Sequence, residues 1–295
     1  MRDFPYVIQP TPKVNNMAKS FKELISKDND NILIVDALNL AFRYKHQKKR
    51  NFAEDYHRTV QSLATSYNTG CVYITADWGS SSYRKNLLPE YKQNRKDKYA
   101  QQTEQEAEEF ANFMEDFEET LLLLGEHYPI FRYKGVEADD LAAYLVSKKK
   151  HNHNIWLVSS DKDWDLLVGP TVSRFSYVTR KEVTASTWHE HYPVEPDEYI
   201  SFKCLTGDTG DNVPGIPGIG PKRATALIEI YGSALDICDA MPLEGKYKYI
   251  QSLNDFGADN IMRNYELMDL VTYCEEAVGN ENVRDINERI KGDGN

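Results

Sequence analysis

The sequence has few cysteines, no long apolar run and no surplus of basic residues. Its four cysteines lie more than 30 residues apart with no Cys-x-x-Cys pair, which excludes a zinc knuckle and a disulfide framework. No apolar stretch reaches the ~18 residues that a membrane-spanning helix needs, and residues 1–13 lack the apolar centre of an export signal. These absences predict a cytoplasmic protein that has no membrane partner.

The formal net charge of −11 argues against a nucleic-acid partner only if the charges are evenly spread. They are not: residues 43–50 carry five basic side chains and no acid, residues 84–98 carry six basic against two acidic, and residues 104–119 carry eight acids and no base. Basic runs with interleaved tyrosines are typical of single-strand binding surfaces, and the alternative is a solvated surface. We therefore treat Arg43, Lys45 and the 84–98 run as candidate DNA contacts.

Short β-branched or aromatic runs alternate with segments of helical spacing over the first 185 residues. The runs are Ile32–Val35, Cys71–Thr75, Ile130–Tyr133 and Ile155–Val158. This alternation predicts an α/β fold with a mostly parallel sheet and crossover helices. A long amphipathic helix with an acidic outer face is predicted over residues 104–124. The strand signal fades after about residue 185, where we place the boundary to a helical region.

An acidic side chain follows each of the four predicted strands. These acids are Asp36, Asp77, Glu137, Asp139, Asp140, Asp161 and Asp163. Because the carboxyl ends of parallel strands share one crevice, acids far apart in sequence are expected to meet there. Crowded carboxylates need cations to stay ionised, and an all-oxygen ligand set favours Mg²⁺, with Mn²⁺ as a substitute, over Zn²⁺. The alternative for any single acid is a structural role, such as a position at a helix N-terminus.

Residues 207–224 combine three closely spaced glycines with a basic helix start. The glycines are Gly215, Gly218 and Gly220. They allow a tight hairpin with exposed N–H groups, and Lys222 and Arg223 follow where a helix begins. The pattern predicts a helix–hairpin–helix phosphate clamp, and the alternative is a plain connection between helices. Asp208 and Asp211, just upstream, are expected to face the acidic crevice if the preceding helix docks against it.

Five of these segments, in this order along the chain, resemble one known family. They are residues 34–40, 88–95, 135–140, 159–165 and 207–223. Together they resemble the bacteriophage 5′-nucleases of the flap endonuclease/5′–3′ exonuclease superfamily, which includes the 5′-nuclease domain of bacterial DNA polymerase I. The resemblance implies a PIN-like α/β core with a helical arch and a C-terminal helix–three-turn–helix region. It also implies a divalent-metal nuclease that acts on flap or branched DNA with a free 5′ end.

The resemblance also assigns roles to residues. Two ions are implied, with Asp36, Asp77, Glu137 and Asp139 mainly around one, Asp161, Asp163, Asp208 and Asp211 around the other, and Asp140 between them or outside. Lys92 and Arg95 are implied as the arch cations that act on the scissile phosphate. A K⁺ ion is implied at the hairpin. The DNA contacts predicted from the basic runs, the hairpin and the resemblance are Arg43, Lys45, Arg84, Tyr91, Lys92, Arg95, Gly218, Gly220, Lys222 and Arg223.

The predicted organisation has three parts. Residues 1–30 are a flexible extension, residues 31–185 form the nuclease core with its arch at 84–124, and residues 186–295 form a helical region that carries the DNA-binding motif at 207–232. We expect a stand-alone monomer in the host cytoplasm that meets replication proteins. Two alternatives stay open, a PIN-type ribonuclease and a catalytically silent branched-DNA-binding module, although the second would have lost carboxylates that this chain retains.

Overall fold

The computed structural model describes residues 31–291, so the predicted extension at 1–30 lies outside the described residues. The strands are β1 (Asn31–Asp36), β2 (Thr69–Thr75), β3 (Ile130–Phe131), β4 (Ile155–Val158), β5 (Val172–Ser176) and β6 (Lys181–Val183). The helices are α1 (Ala37–His46), α2 (Ala53–Ser66), α3 (Ser82–Leu87), α4 (Gln93–Ala100), α5 (Glu104–Gly125), α6 (Ala138–Lys149), α7 (Tyr199–Thr206), α8 (Pro221–Tyr231), α9 (Ala234–Ala240), α10 (Lys248–Phe256), α11 (Ala258–Met268), α12 (Leu270–Val278) and α13 (Asn280–Ile290).

The strands form one sheet in the order β3-β2-β1-β4-β5-β6. All neighbours are parallel except β5 and β6, which are antiparallel. The central strand β1 is buried along its whole length, as its continuous apolar run predicts for a strand covered on both faces. The mostly parallel α/β core is therefore confirmed, while β5 and β6 extend it beyond the four predicted strands.

Helices cover both faces of the sheet. On one face, α1, α2 and α5 pack their apolar sides against alternate residues of the strands, such as Leu33 and Val35. The predicted long helix is present as α5, which begins at a capping box between Thr103 and Glu106. Its acidic residues lie mostly on the outer side. Among residues 31–291, no helix combines the length and the apolar character that a membrane crossing requires.

The other face is covered by helices from two distant parts of the chain. α6 follows β3 directly, whereas α12 and α13 come last, and their apolar residues join those of α6 in one core. Helices α7 to α11 form a separate apolar cluster beside the sheet. The last two helices thus belong to the layer that covers the sheet, whereas α7 to α11 do not.

Candidate metal-binding active site

The carboxyl ends of β1 and β2 carry the first two acids of the site. Asp36 caps α1, since the Asn39 backbone N–H donates to its Oδ1 at 3.1 Å, and the Ser159 hydroxyl donates to its Oδ2 at 2.9 Å. Asp77 lies just beyond β2 and accepts from the Ala138 N–H at the start of α6, at 2.7 Å. These bonds fix both carboxylates at the same edge of the sheet.

Asp139 and Asp161 complete a group of four carboxylates with Asp36 and Asp77. Burial and the charge of Asp77 raise the pKa of Asp36 to about 8. Burial and the charge of Asp161 raise the pKa of Asp139 well above its ordinary value. The Trp164 indole N–H donates to Asp139 at 2.6 Å and holds it in place. Asp161 therefore lies beside acids of both predicted groups, because its charge also raises the pKa of Asp163 and its Oδ1 accepts from the Asp163 N–H at 3.0 Å. The partition of the acids between two ions stays a prediction.

A buried lysine that the sequence analysis did not select lies beside Asp163 and Asp208. Lys203, on α7, is 7% exposed, donates from Nζ to Asp163, and forms an ion pair with Asp208 at 3.3 Å. Burial, only partly offset by Lys203, raises the pKa of Asp163 to about 6. α7 thus docks against the crevice, as expected, and brings Asp208 and Asp211 with it.

Lys92 and Arg95 lie on the open side of the same crevice. The Lys92 Nζ is 2.8 Å from Glu137 and 3.5 Å from Asp211, and Arg95 is 2.6 Å from Asp211. Burial alone would raise the pKa of Glu137, but Lys92 and Arg84 outweigh it and lower the pKa. Burial would also raise the pKa of Asp211, but the charges of Lys92 and Arg95 outweigh it and lower that pKa. The two arch residues therefore meet the acids directly.

The donor set fits hard divalent cations. All of these ligand candidates are oxygens, and burial, together with the charge of neighbouring carboxylates, raises the pKa values of Asp36 and Asp139. Within residues 31–291, however, no three His, Cys, Asp or Glu groups are arranged to hold an ion. Lys92 and Lys203 lie between carboxylates instead. An ion would therefore require small side-chain movements away from these ammonium groups.

The prediction of Asp140 as a metal ligand is corrected. Asp140 is 1% exposed, and both of its oxygens accept from the Arg84 guanidinium, at 2.6 and 2.7 Å. Arg84 also donates to the Leu267 carbonyl at 2.8 Å and is only 4% exposed. Asp140 thus belongs to a buried ion pair that joins α6 to α3, and the same Arg84 lies 3.3 Å from Glu137.

Arg84 and Tyr91 are corrected as DNA contacts, because both are buried. The Tyr91 hydroxyl lies 3.1 Å from Glu137 and 2.8 Å from Asp211, so it orients two acids of the site and its ring is not available to a base. Burial raises the pKa of Tyr91 well above its ordinary value. Its hydroxyl therefore stays protonated, and its one proton is shared between these two carboxylates, with the shorter contact to Asp211.

The other predicted DNA contacts lie on the surface. Arg43 lines a cleft of about 870 Å³ beside the β5–β6 hairpin, where Arg43 and Arg180 lie 4.4 and 3.9 Å from the Tyr177 ring. Arg180 is a basic residue that the sequence analysis did not select. Lys45 rests its ammonium against the Phe110 ring at 4.6 Å. Its charge is therefore positioned by aromatic contacts.

The glycine-rich segment forms a hairpin between α7 and α8. A side chain at Gly215 would overlap the Thr206 carbonyl oxygen, since a Cβ there would lie 2.0 Å from it, and Gly218 has φ of +82°. Gly220 caps α8. Lys222 is exposed at the start of α8, and Arg223 donates to the Gly218 carbonyl at 2.6 Å. The hairpin therefore has the close backbone packing that its glycines predict.

Comparison with known proteins agrees with this arrangement. A model described as the 5′-3′ exonuclease N-terminal resolvase-like domain matches residues 31–193, and one described as the 5′-3′ exonuclease C-terminal SAM fold matches residues 194–288. The chain belongs to the 5′-3′ exonuclease family. The predicted resemblance is confirmed, and the two matched models meet within the helical part of the chain.

Individual members of this family share most of the chain. The flap endonuclease of Escherichia phage T5 is 43% identical over 271 residues, which cover 89% of this chain and 93% of that protein. A pseudo-enzyme-product complex of the phage T5 flap endonuclease with DNA and metal ions has a TM-score of 0.85 and covers 89% of this chain and 98% of its own. A DNA polymerase I of Rhizobium leguminosarum is 35% identical over 160 residues, 54% of this chain and 15% of the polymerase.

Asp36→Asn is expected to stabilise the metal-free protein. The folded pKa of about 8 lies above the unfolded value of 3.8, so the folded state holds a proton that the unfolded chain releases as pH rises between these values. The free energy of unfolding of the wild type therefore decreases as pH rises from 3.8 to about 8. Asparagine cannot titrate, so the variant lacks this decrease. We expect the free energy of unfolding in chelator to rise by about 2 kcal/mol or more at pH 9, and by less at pH 5. Equal effects at both pH values in denaturant titrations would contradict this reading of Asp36.

Proposed function

We propose that this chain is a metal-dependent 5′-nuclease that hydrolyses phosphodiester bonds in flap or branched DNA and at 5′ ends during DNA replication. The observation that carries the proposal is the meeting of eight carboxylates with Lys92 and Arg95 at one edge of the sheet, next to the hairpin at 215–220. The named flap endonucleases among its relatives support the substrate class.

The acidic crevice is proposed to use two Mg²⁺ ions, with Mn²⁺ as a substitute. Such ions, when bound, supply a nucleophilic water and neutralise the leaving 3′-oxygen. The group of Asp36, Asp77, Asp139 and Asp161 would hold one ion. Asp163 and Asp208 would hold the other, and Glu137 and Asp211 complete the shell. The products are a 5′-phosphate and a 3′-hydroxyl.

The cations of the site act on the substrate. Lys92 and Arg95 reach the carboxylates from α4 and its N-terminal flank, so a phosphate entering the crevice meets both positive charges. Tyr91 and Trp164 hold Glu137, Asp211 and Asp139 in place through hydrogen bonds. These residues therefore orient the acids before any substrate arrives.

The hairpin is proposed to bind the duplex arm of the DNA. Its N–H groups, the start of α8 and the exposed Lys222 offer positive charge to a phosphate without reading sequence. A K⁺ ion at the hairpin belongs to the same proposal. So do a monomeric state in the cytoplasm and contacts with replication proteins.

A single assay tests the function and its main alternative. A 5′-labelled DNA flap and an RNA flap of the same sequence are incubated with Mg²⁺, and each is repeated with excess chelator. We expect cleavage of the DNA flap close to its junction in Mg²⁺ and no cleavage in chelator. Cleavage of the RNA alone would favour the ribonuclease, and cleavage that survives chelation would overturn the metal-dependent mechanism.

A further inference from the structure

An exposed tyrosine lies next to the hairpin and takes no part in the site described above. Tyr247 precedes α10 and is 62% exposed, one of the most exposed large aromatic side chains among residues 31–291. Its ring stacks on Tyr249, with centroids 5.8 Å apart and the planes inclined by 19°. The ring therefore keeps accessible surface in spite of the stack.

The Tyr247–Tyr249 pair is linked to the hairpin. The Arg223 guanidinium lies 4.7 Å from the Tyr249 ring centroid, and the same Arg223 donates to the Gly218 carbonyl at 2.6 Å. A side chain at Gly218 would lie 3.7 Å from the Tyr249 Cβ, which shows how closely the hairpin approaches the pair. DNA held by the hairpin would thus come within reach of Tyr247.

The segment that carries Tyr247 is held in place. Asn254, on α10, accepts from the Leu243 N–H at 2.8 Å and donates to the Leu243 carbonyl at 2.9 Å. Ile250 is buried beneath the same segment. The Tyr247 carbonyl also accepts from the Ile250 N–H at 3.0 Å, so the backbone that carries the ring is already ordered before a ligand binds.

The sequence around the pair is basic, although the whole chain carries −11. Lys222, next to Arg223 in sequence, and Lys246 and Lys248, on either side of Tyr247 in sequence, are exposed, and Glu244 is the one acid in residues 242–249. Lysines attract phosphates without regard to sequence, while an open aromatic face stacks on any base. The bases inside a duplex have both faces covered, so only an unpaired or terminal base offers a free face.

We propose that Tyr247 stacks on an unpaired base of single-stranded DNA that continues from the duplex arm, with Lys246 and Lys248 on its phosphates. The proposal rests on the proposed function for the placement of the duplex arm at the hairpin. It adds, next to the duplex-binding hairpin, a second contact that is specific for single-stranded DNA and separate from the acidic crevice. Substrates with a single-stranded extension beyond the hairpin would therefore bind more tightly than substrates with a blunt arm.

Binding measured in chelator tests this contact without cleavage. Two labelled DNAs that share one duplex arm are compared, one with a blunt end and one with a short single-stranded extension. Tyr247→Ala is expected to weaken binding of the extended DNA about tenfold and to leave the blunt DNA unchanged, whereas Tyr247→Phe retains the affinity of wild type. Replacing the bases of the extension with abasic sites should remove the wild-type preference.

Matched variants separate this contact from the proposed function. Lys222→Ala should weaken both DNAs alike, because it acts on the duplex arm, and Lys291→Ala, an exposed lysine at the far end of α13, should change neither. Equal losses of the two DNAs in Tyr247→Ala would place the ring against the duplex and overturn the proposal. So would no loss in either. Failure of Lys222→Ala to weaken the blunt DNA would instead count against the hairpin as the duplex-binding element.

Discussion

Asp161→Asn is expected to lower the rate of flap cleavage by roughly 10²–10⁴-fold with little loss of DNA binding. Asp161 lies with Asp36, Asp77 and Asp139 in the group of acids that repel one another, and the amide keeps its shape while removing one charge. Single-turnover rates in saturating Mg²⁺ measure the chemical step. Binding measured in chelator should hold or increase, because one charge that repels phosphate is gone.

Asp255→Asn provides the matched control for this variant. Asp255 is exposed on α10, so its substitution by asparagine makes the same change in net charge at a position away from the crevice. We expect it to cleave at the rate of wild type. A cleavage rate in Asp161→Asn within a few-fold of the control would remove Asp161 from the metal-binding group.

Arg84→Met is expected to destabilise the protein by about 3–5 kcal/mol. The substitution leaves the buried Asp140 without the guanidinium that binds both of its oxygens, and leaves the Leu267 carbonyl without its donor. Removing one partner of a buried ion pair costs far more than the pair contributes, because the remaining charge stays out of water. Urea denaturation measures the loss.

A double variant and a surface control test whether the loss of stability comes from an unpaired buried charge. Arg84→Met combined with Asp140→Leu removes both charges and should recover most of the lost stability. Arg58→Met breaks a pair with Asp55 in which Arg58 is 66% and Asp55 30% exposed, so it should cost less than ~1 kcal/mol. Equal losses in Arg84→Met and Arg58→Met would show that Asp140 is not held as a buried charge.

The edge of the sheet could be predicted because it depends on local patterns. Each of the strands β1 to β4 is a short, mostly apolar run, and the acid that follows it is read directly from the sequence. Parallel pairing then places all the carboxyl ends together, whatever lies between them in the chain. The positions of Asp36, Asp77 and Asp161 follow from these two facts alone.

Asp140 shows where local pattern stops being sufficient. Asp139 and Asp140 are consecutive in the first turn of α6, so their side chains point about 100° apart and only one can face the crevice. Helical geometry therefore indicates that one acid must turn away, but which one turns is decided by the buried Arg84. The burial of Arg84 and Tyr91 depends on helices near residue 267, which the basic run itself does not reveal.

The sequence analysis missed Lys203, although the sequence itself carries a signal for it. It is the one charged residue of α7, a mostly buried helix, five residues before Asp208, and a lysine there is unusual because burial of an ammonium is costly. That isolation was the available signal. Its partner Asp163 lies 40 residues away, so only the docking of α7 against the sheet shows why the charge is tolerated.

The position of α12 and α13 has a consequence for protein synthesis. The ribosome delivers β1 to β6 and α6 long before residues 270–290, yet these last helices cover apolar residues of α6. An incomplete chain therefore exposes part of its core and lacks Asp208 and Asp211 until the helical part has emerged. The last acid of the crevice, Asp211, thus emerges well before the core around α6 closes, so we expect a product truncated between residues 211 and 270 to carry all of the acids on an incompletely covered sheet.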